Sequence, residues 1–284
     1  MDLWLIENNT AGYSVNWKVV KTLFERKTPF QHLQVLETLE FGRTMVLDGA
    51  IQVTEKDEFI YHEMIAHIPL FSHQNPREVL VIGGGDGATV REILRHPGTT
   101  VDLVEIDQAV LDASREYFPG LACGLDDQRT RVIVADGIHY LESCTKTYDV
   151  VIIDASDPVG PAVGLFDEAF YRNVYRVLKA DGIMVTQSES PFFNYQLLRE
   201  INAILRKIFP LVKVYLTCVP SYIAGFWSFT AASKRYDPAD PRRFPADFGE
   251  CKYYTQSVHR AAFELPACIA NLLRTKDCKG FGSK

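Results

Sequence analysis

The sequence lacks both a membrane-spanning stretch and a surplus of basic residues. No apolar run approaches the roughly 18–20 residues that a helix needs to cross a bilayer. Of the 284 residues, 30 are Lys or Arg and 36 are Asp or Glu, which gives a formal net charge of −6. Proteins that bind nucleic acids carry basic patches that neutralise phosphates. The composition therefore argues against a membrane partner and against a nucleic-acid partner.

Signatures of export and of metal binding are also missing. The first ten residues contain Asp2 and Glu7 and no basic segment followed by an apolar one, so we expect no secretory signal and a cytoplasmic protein. No two of the six cysteines are spaced as Cys-x-x-Cys, which argues against a zinc site. His62 and His67 are five positions apart, whereas the zinc-protease helix needs a spacing of four. We therefore predict no metal site.

Two regions of the chain differ in pattern. Residues 1–66 contain short segments rich in β-branched residues at Phe30–Leu39 and Thr44–Val53, with turn signals at 41–43 and 48–49. This pattern is typical of antiparallel strands. The sequence predicts a small all-β domain over residues 1–66, which a helix around Glu58–Ile68 joins to a second domain over residues 67–284.

The second domain alternates short apolar segments with helical ones, which predicts an α/β fold with a doubly wound, Rossmann-like and mostly parallel sheet. The strand from Tyr148 to Ile153 is almost entirely apolar, as expected where helices cover both faces of a sheet. If the first four strands adopt the order 3-2-1-4, their carboxyl ends surround one crevice. The predicted strands are Val79–Ile82, Val101–Ile106, Arg131–Val134, Tyr148–Ile153 and Ile183–Gln187, with further candidates at Val212–Thr217 and Phe226–Ala232. The proline-rich residues 236–250 are expected to form a surface excursion.

A glycine-rich turn follows the first of these strands. Gly83-Gly84-Gly85-Asp86-Gly87 allows a tight turn and a close approach of backbone to a ligand. Such a turn fits a nicotinamide dinucleotide, an S-adenosyl ligand or a plain strand-to-helix connection. A carboxylate at Asp86 would repel a pyrophosphate and attract a cation, so the sequence disfavours a dinucleotide.

Acidic residues also end the next two strands. Glu105 lies at the end of the second strand, where a carboxylate can accept hydrogen bonds from both hydroxyls of a ribose. Asp107 is the rival candidate, but it lies past the strand end. Asp136-Gly137 closes the third strand, where the carboxylate would face an adenine base, although the same dipeptide is common in ordinary turns.

A pair of carboxylates follows the most apolar strand. Asp154 and Asp157 lie three positions apart at the mouth of the sheet, where their charges are unfavourable unless a cation binds. Together with Asp86, Glu105 and Asp136, they place acids at four successive strand ends. This arrangement predicts a site for a cationic ligand.

Segments along most of the chain resemble the polyamine aminopropyltransferases, in particular the bacterial spermidine synthases. Ser221 stands where many members have Thr, and Ala155 stands where several have Ser or Cys; neither departure removes a proposed functional group. The matching segments are Asp48–Gln52, Asp57–Met64, Gly83–Gly87, Glu105–Asp107, Asp154–Pro161, Gln187–Pro191, Pro220–Tyr222, Lys252–Tyr254 and Ala261–Pro266.

The resemblance implies transfer of an aminopropyl group from decarboxylated S-adenosylmethionine to putrescine, which gives spermidine and 5′-methylthioadenosine. It implies a methyltransferase-like fold, no cofactor and no metal, the donor being a co-substrate, and assembly into a homodimer or homotetramer through the N-terminal domain. Asp154 is the expected proton acceptor. The residues expected to bind putrescine are Tyr61, His62, Asp86, Asp154, Asp157 and Tyr222. Those expected to bind the donor are Gln31, Asp86, Glu105, Asp136, Gly137 and Pro161, with Gln52 and Glu189 as further contributors to the site.

Two alternatives remain open on the residues alone. A class I methyltransferase acting on a diamine would share the nucleoside pocket, although Asp86 would oppose the carboxylate of its donor. A polyamine-binding protein without catalytic activity would need the acidic residues but no nucleoside pocket.

Overall fold

The N-terminal region of this computed structural model, which describes residues 3–156, 164–244 and 248–274, is a five-stranded antiparallel sheet in the order β1-β2-β3-β4-β5. A tight turn with positive φ angles at Asp48 and Gly49 joins β4 to β5, as the Asp-Gly pair predicts. The strands β1 and β2 are not among the predicted ones, because most of their residues are exposed, including apolar ones such as Trp4 and Ile6, so apolar residues do not mark one buried face. The strands are β1 (Leu3–Thr10), β2 (Tyr13–Lys27), β3 (His32–Thr38), β4 (Gly42–Leu47) and β5 (Ala50–Thr54).

The second sheet has seven strands and confirms the predicted α/β fold. Its order is β11-β12-β10-β9-β6-β7-β8, in which β12 runs antiparallel to both neighbours and the other pairs are parallel. The run β8-β7-β6-β9 is the predicted order 3-2-1-4. The strands are β6 (Glu78–Gly83), β7 (Thr100–Glu105), β8 (Thr130–Val134), β9 (Tyr148–Asp154), β10 (Leu178–Gln187), β11 (Leu211–Cys218) and β12 (Phe226–Ser233).

Helices cover both faces of this sheet. One buried cluster packs Met64 and Ile65 of the first helix against Val81 of β6 and Ile152 of β9, and a second cluster lies on the other face. Burial on both faces explains the apolar run in β9. The helices are α1 (Glu58–Ser72), α2 (Ala88–Leu94), α3 (Gln108–Tyr117), α4 (Pro119–Ala122), α5 (Gly137–Ser143), α6 (Glu168–Val177), α7 (Tyr195–Ile208), α8 (Gln256–Ala262) and α9 (Ala267–Arg274).

Two sequence predictions differ from the structure in detail, and one further feature concerns membranes. The boundary predicted at residues 66–67 lies inside α1, which packs against β9, β10 and β11. The segment at 236–250 is not wholly at the surface: Phe248 is buried and its ring lies 4.7 Å from that of Phe71, because proline indicates irregular backbone but says nothing about burial. Within the described residues, no helix has the length and apolarity to span a bilayer.

Candidate active site

One cavity of about 330 Å³ lies between the carboxyl ends of the parallel strands and the N-terminal sheet. The glycine-rich turn after β6 lines one side, and residues of the N-terminal sheet, such as Met45, line the other. The structure brings nine of the predicted site residues together around this cavity: Gln31, Tyr61, His62, Asp86, Glu105, Asp136, Gly137, Asp154 and Tyr222. Gln52 and Glu189 line it as well, whereas Asp157 and Pro161 lie outside the described residues.

The glycine-rich turn touches the end of β9. Gly83 has a φ of +80°, and a side chain there would collide with the backbone carbonyl of Asp154. A Cβ at Gly84, where φ is +70°, would lie 2.8 Å from Oδ2 of Asp154. Since both positions combine a positive φ with a close approach, glycine is required for the turn to reach the carboxylate.

Asp154 receives a hydrogen bond on each carboxylate oxygen. Tyr61 of α1 donates to Oδ1 at 2.7 Å, and Thr89 of α2 donates to Oδ2 at 2.6 Å. Burial raises the pKa of Asp154, and the charge of Asp86 raises it further. Sequence analysis missed Thr89, because an isolated threonine in an amphipathic helix carries no signal of its own.

His62 links Asp86 to a second carboxylate. Its Nε2 lies 3.5 Å from Oδ1 of Asp86, and its Nδ1 lies 2.8 Å from Oε2 of Glu58. Burial favours the neutral ring, but the two carboxylates outweigh it and raise the pKa of His62 well above its usual value. The contact between His62 and Asp86, together with a 2.7 Å hydrogen bond from the backbone N–H of Ala88, keeps the pKa of Asp86 low despite its burial.

Glu105 and its rival Asp107 have different surroundings. Oε1 of Glu105 accepts from the backbone N–H of Asp107 at 2.9 Å, and burial raises the pKa of Glu105 to about 7. The carboxylate of Asp107 caps α3 and accepts bonds from Gln31 and Thr28 at 3.1 and 2.7 Å. Asp107 therefore links the N-terminal domain to α3, and its carboxylate is occupied by these bonds. This supports Glu105 as the residue that would bind the ribose.

The remaining predicted residues have partners within the protein. Oδ1 of Asp136 accepts the backbone N–H of Ile138 at 2.7 Å and caps α5. A Cβ at Gly137 would lie 2.5 Å from Cγ2 of Ile82, so this position is closely packed. The hydroxyl of Tyr222 donates to the backbone carbonyl of Gln52 at 2.8 Å.

Glu189 adopts a strained conformation at the cavity wall. It has a φ of +62° and is buried, and its Oε2 accepts from Nδ2 of Asn194 at 2.9 Å. Gln187, which sequence analysis did not select as a site residue, accepts the backbone N–H of Glu189 at 2.9 Å and donates to the carbonyl of Ala155 at 3.2 Å. Because of these hydrogen bonds, Gln187 and Glu189 form a fixed part of the wall. Strained backbone of this kind is common at binding sites.

The cavity is strongly acidic. None of the described residues that line it is a lysine or an arginine, and His62 is its one histidine. Carboxylates crowded in a buried site favour a cationic occupant. The acidic residues that line the cavity are Glu7, Asp48, Asp86, Glu105, Asp136, Asp154 and Glu189.

Comparison with known sequences gives one consistent result. The profile of the spermine/spermidine synthase domain matches residues 58–240, and that of the spermidine synthase tetramerisation domain matches residues 3–55. A polyamine aminopropyltransferase of Moorella thermoacetica is 49% identical over 280 residues, which cover 98% of this chain and 99% of that protein. A polyamine aminopropyltransferase of Bacillus subtilis is 45% identical over 277 residues, covering 96% of this chain and 99% of that protein.

Solved structures agree with the sequence comparison. A spermidine synthase crystallised with the transition state analogue AdoDATO superimposes with a TM-score of 0.93 at 38% identity, over 95% of this chain and 94% of that chain. The spermidine synthase of Thermotoga maritima superimposes with a TM-score of 0.91 at 38% identity, over the same shares. The likeness therefore extends over both sheets.

Proposed function

The chain belongs to the spermine/spermidine synthase family of polyamine aminopropyltransferases, and on that premise we propose that it transfers the aminopropyl group of decarboxylated S-adenosylmethionine to putrescine. The products are spermidine and 5′-methylthioadenosine. The observation that supports these substrates is the cavity, which is lined by seven acidic residues and, among its described residues, by no lysine or arginine. Both proposed substrates are cations at neutral pH, so they match its charge.

The reaction is a displacement at a methylene carbon beside the sulfonium. The lone pair of a putrescine nitrogen forms the new C–N bond while the C–S bond breaks and its electron pair remains on sulfur. The sulfur leaves as the neutral thioether of methylthioadenosine. Because this leaving group needs neither protonation nor a Lewis acid, we propose a reaction without metal or cofactor.

The nucleophile must lose a proton before it can attack. An alkylamine has a pKa of about 10.4 and is almost fully protonated at neutral pH. We propose that Asp154 accepts this proton, and that the hydroxyl of Tyr61, 2.7 Å from its Oδ1, helps to place the amine. Burial and the neighbouring charge of Asp86 raise the pKa of Asp154, which makes it a stronger base than an exposed aspartate.

The proposed donor and diamine contacts lie in different parts of the cavity. Asp86 would bind the ammonium of the donor. Tyr222 and His62 would border the diamine. The two ring nitrogens of His62 face Asp86 and Glu58. Glu105 would accept hydrogen bonds from the ribose, because it follows β7 beside the glycine-rich turn. Gln31 and the Asp136-Gly137 turn would enclose the remainder of the nucleoside.

An assay of methylthioadenosine formation tests the proposal. The protein is incubated with putrescine and either decarboxylated S-adenosylmethionine or S-adenosylmethionine, with and without EDTA. We expect methylthioadenosine and spermidine from the decarboxylated donor only, at equal rates with and without EDTA. S-adenosylhomocysteine from the second donor would instead identify a methyltransferase, and binding of putrescine with neither product would identify a binding protein. Replacing putrescine by cadaverine measures the preference for diamine length.

The assembly and the location follow the same premise. The match of residues 3–55 to a tetramerisation domain supports a homo-oligomer, and we propose a homodimer or homotetramer. Sedimentation equilibrium of the full chain distinguishes the two. The cytoplasmic location stays a prediction.

A further inference from the structure

Thr89 is a buried threonine whose hydroxyl points out of its helix towards the cavity acid. It is the second residue of α2, and none of its surface is exposed. Its Oγ1 donates a 2.6 Å hydrogen bond to Oδ2 of Asp154. This bond joins α2 to the end of β9.

The carboxylate of Asp154 is held from two sides. Tyr61 donates to Oδ1 and Thr89 donates to Oδ2, and both donors lie on helices packed against the sheet. The terminal torsion of an aspartate is broad and roughly two-fold, so one bond to each oxygen restricts the rotation of the group. Each carboxylate oxygen has about two acceptor positions. These two donors therefore leave one acceptor position on each oxygen unused.

We propose that Thr89 is a positioning residue for aminopropyl transfer, which fixes the orientation of the Asp154 carboxylate and so presents it to the attacking amine. The inference rests on the proposed function, in which Asp154 accepts the proton. It adds a residue from α2 to the proposed site.

The groups around Asp154 determine what the loss of this bond does to its charge. Burial and the charge of Asp86 raise the pKa of Asp154, whereas His62 and the hydroxyls of Thr89 and Tyr61 lower it. A hydrogen bond to a carboxylate favours its ionised form. Removing the Thr89 hydroxyl should therefore raise the pKa of Asp154 further and move its ionisation to higher pH.

The test compares three variants with the wild type. Thr89→Val keeps the shape and removes the donor, and Thr89→Ser keeps the donor. Thr99→Val is the matched control, because Thr99 is also fully buried and its hydroxyl bonds only to backbone carbonyls, at 2.8 Å to His96 and 3.1 Å to Ile93. Methylthioadenosine affinity and the thermal midpoint of each variant report on folding.

The expected result is a selective loss of turnover. Thr89→Val should lower kcat about tenfold, equivalent to about 1.4 kcal/mol, with an unchanged affinity for methylthioadenosine. The acid side of its kcat profile should move to higher pH, since Asp154 would ionise less readily. Thr89→Ser should restore most of kcat, and Thr99→Val should lower the thermal midpoint without moving the profile.

Wild-type turnover separates this inference from the proposed function. An active wild type together with an unshifted profile in Thr89→Val, or no rescue by Thr89→Ser, would overturn the role of Thr89 alone. An inactive wild type would overturn the proposed function. In either case, carbon-13 NMR titration of the Asp154 carboxyl, assigned with Asp154→Asn, measures directly how the Thr89 hydroxyl affects the pKa of Asp154. An equal titration midpoint in wild type and Thr89→Val would contradict the inference, and a higher titration midpoint in Thr89→Val would support it.

Discussion

Two groups of buried or largely buried acids lie beside α2, and only one of them is paired with arginine side chains. The ion-pair cluster consists of Glu58, Glu92, Arg91 and Arg95. Arg91 lies 2.9 Å from both glutamates, and Arg95 lies 2.7 Å from Glu92. Burial alone would raise the pKa of both glutamates, but their bonds to histidine and arginine side chains lower it.

Among the cavity acids, Glu105 and Asp154 have no such compensation, whereas the contact with His62 helps to keep the pKa of Asp86 low. In the part of the chain that the structure describes, none of the three forms an ion pair with a lysine or arginine, and His62 is the one basic side chain that Asp86 meets. The pKa of Glu105 rises to about 7, and that of Asp154 is also raised. Since acids of both groups are largely removed from water, burial does not distinguish a structural acid from a functional one. What distinguishes the two groups is whether arginine side chains of the protein pair with the acids.

The largest effect on turnover is expected at Asp154. Asp154→Asn removes the charge and the proton acceptor at constant size, so we expect turnover to fall by roughly 10²–10⁴ while the affinity for methylthioadenosine changes little. The rate is measured at pH 9 across putrescine concentrations. Recovery of the full maximal rate at saturating putrescine would mean that Asp154 binds the diamine and is not the base.

Glu92→Gln is the corresponding change in the ion-pair cluster. Removing one partner of a buried pair is strongly destabilising. Arg91 still pairs with Glu58 in this variant, so we expect a loss of about 2–4 kcal/mol in stability. The value of kcat should stay within about twofold of wild type. The pKa of Glu92 is depressed in the folded state, so its contribution is present above the unfolded value of about 4.3 and is lost as the pH falls below it.

The thermal midpoint of Glu92→Gln is measured at fixed protein concentration between pH 3 and pH 8. The difference from wild type should be largest at pH 7 and should shrink on the acid side. A turnover defect comparable to that of Asp154→Asn would show that the cluster belongs to the catalytic site.

Asp86→Asn should separate the donor from its product. The loss of a charge-assisted bond to the donor ammonium should weaken the decarboxylated donor by about 1.5–3 kcal/mol. Methylthioadenosine has no amine at that position, so its affinity should change far less. Equal losses for both ligands in calorimetric titration would contradict the role of Asp86.

Glu105→Gln should have the smallest effect of the four variants. Its change in stability should have the opposite sign to that of Glu92→Gln. The folded pKa of Glu105, about 7, exceeds the unfolded value of about 4.3, so ionisation opposes folding progressively as the pH rises from about 4.3 to 7. The variant should therefore be more stable than wild type at pH 8, by on the order of 1–3 kcal/mol, and no more stable at pH 4.

The affinity of Glu105→Gln for methylthioadenosine at pH 8 should fall, because a neutral amide is a weaker acceptor for ribose hydroxyls. A variant with unchanged affinity would place the ribose elsewhere. A variant that is less stable at pH 8 would show that Glu105 is compensated within the protein, as Glu92 is.

The regular parts of the fold could be predicted because they depend on local pattern. The apolar runs of β6, β7 and β9 and the acids that follow them are visible in the sequence, and their alternation with helices predicts a parallel sheet. The order β8-β7-β6-β9 is the one expected of a doubly wound fold. The strands β1 and β2 and the helix α7 were not predicted. In the first two, apolar residues are exposed as well as buried, so they do not alternate with polar ones. Phe248 shows that an irregular, proline-rich segment can still contain a buried residue.

The positions of the acids and glycines along the chain are enough to predict that a cationic ligand meets the strand ends. Which acids are compensated within the protein depends on tertiary packing. The bonds from Tyr61 and Thr89 to Asp154 join residues 93 and 65 positions apart, and that from Arg91 to Glu58 spans 33. Such contacts form only when α1, α2 and β9 pack together, since no local pattern relates the residues that make them.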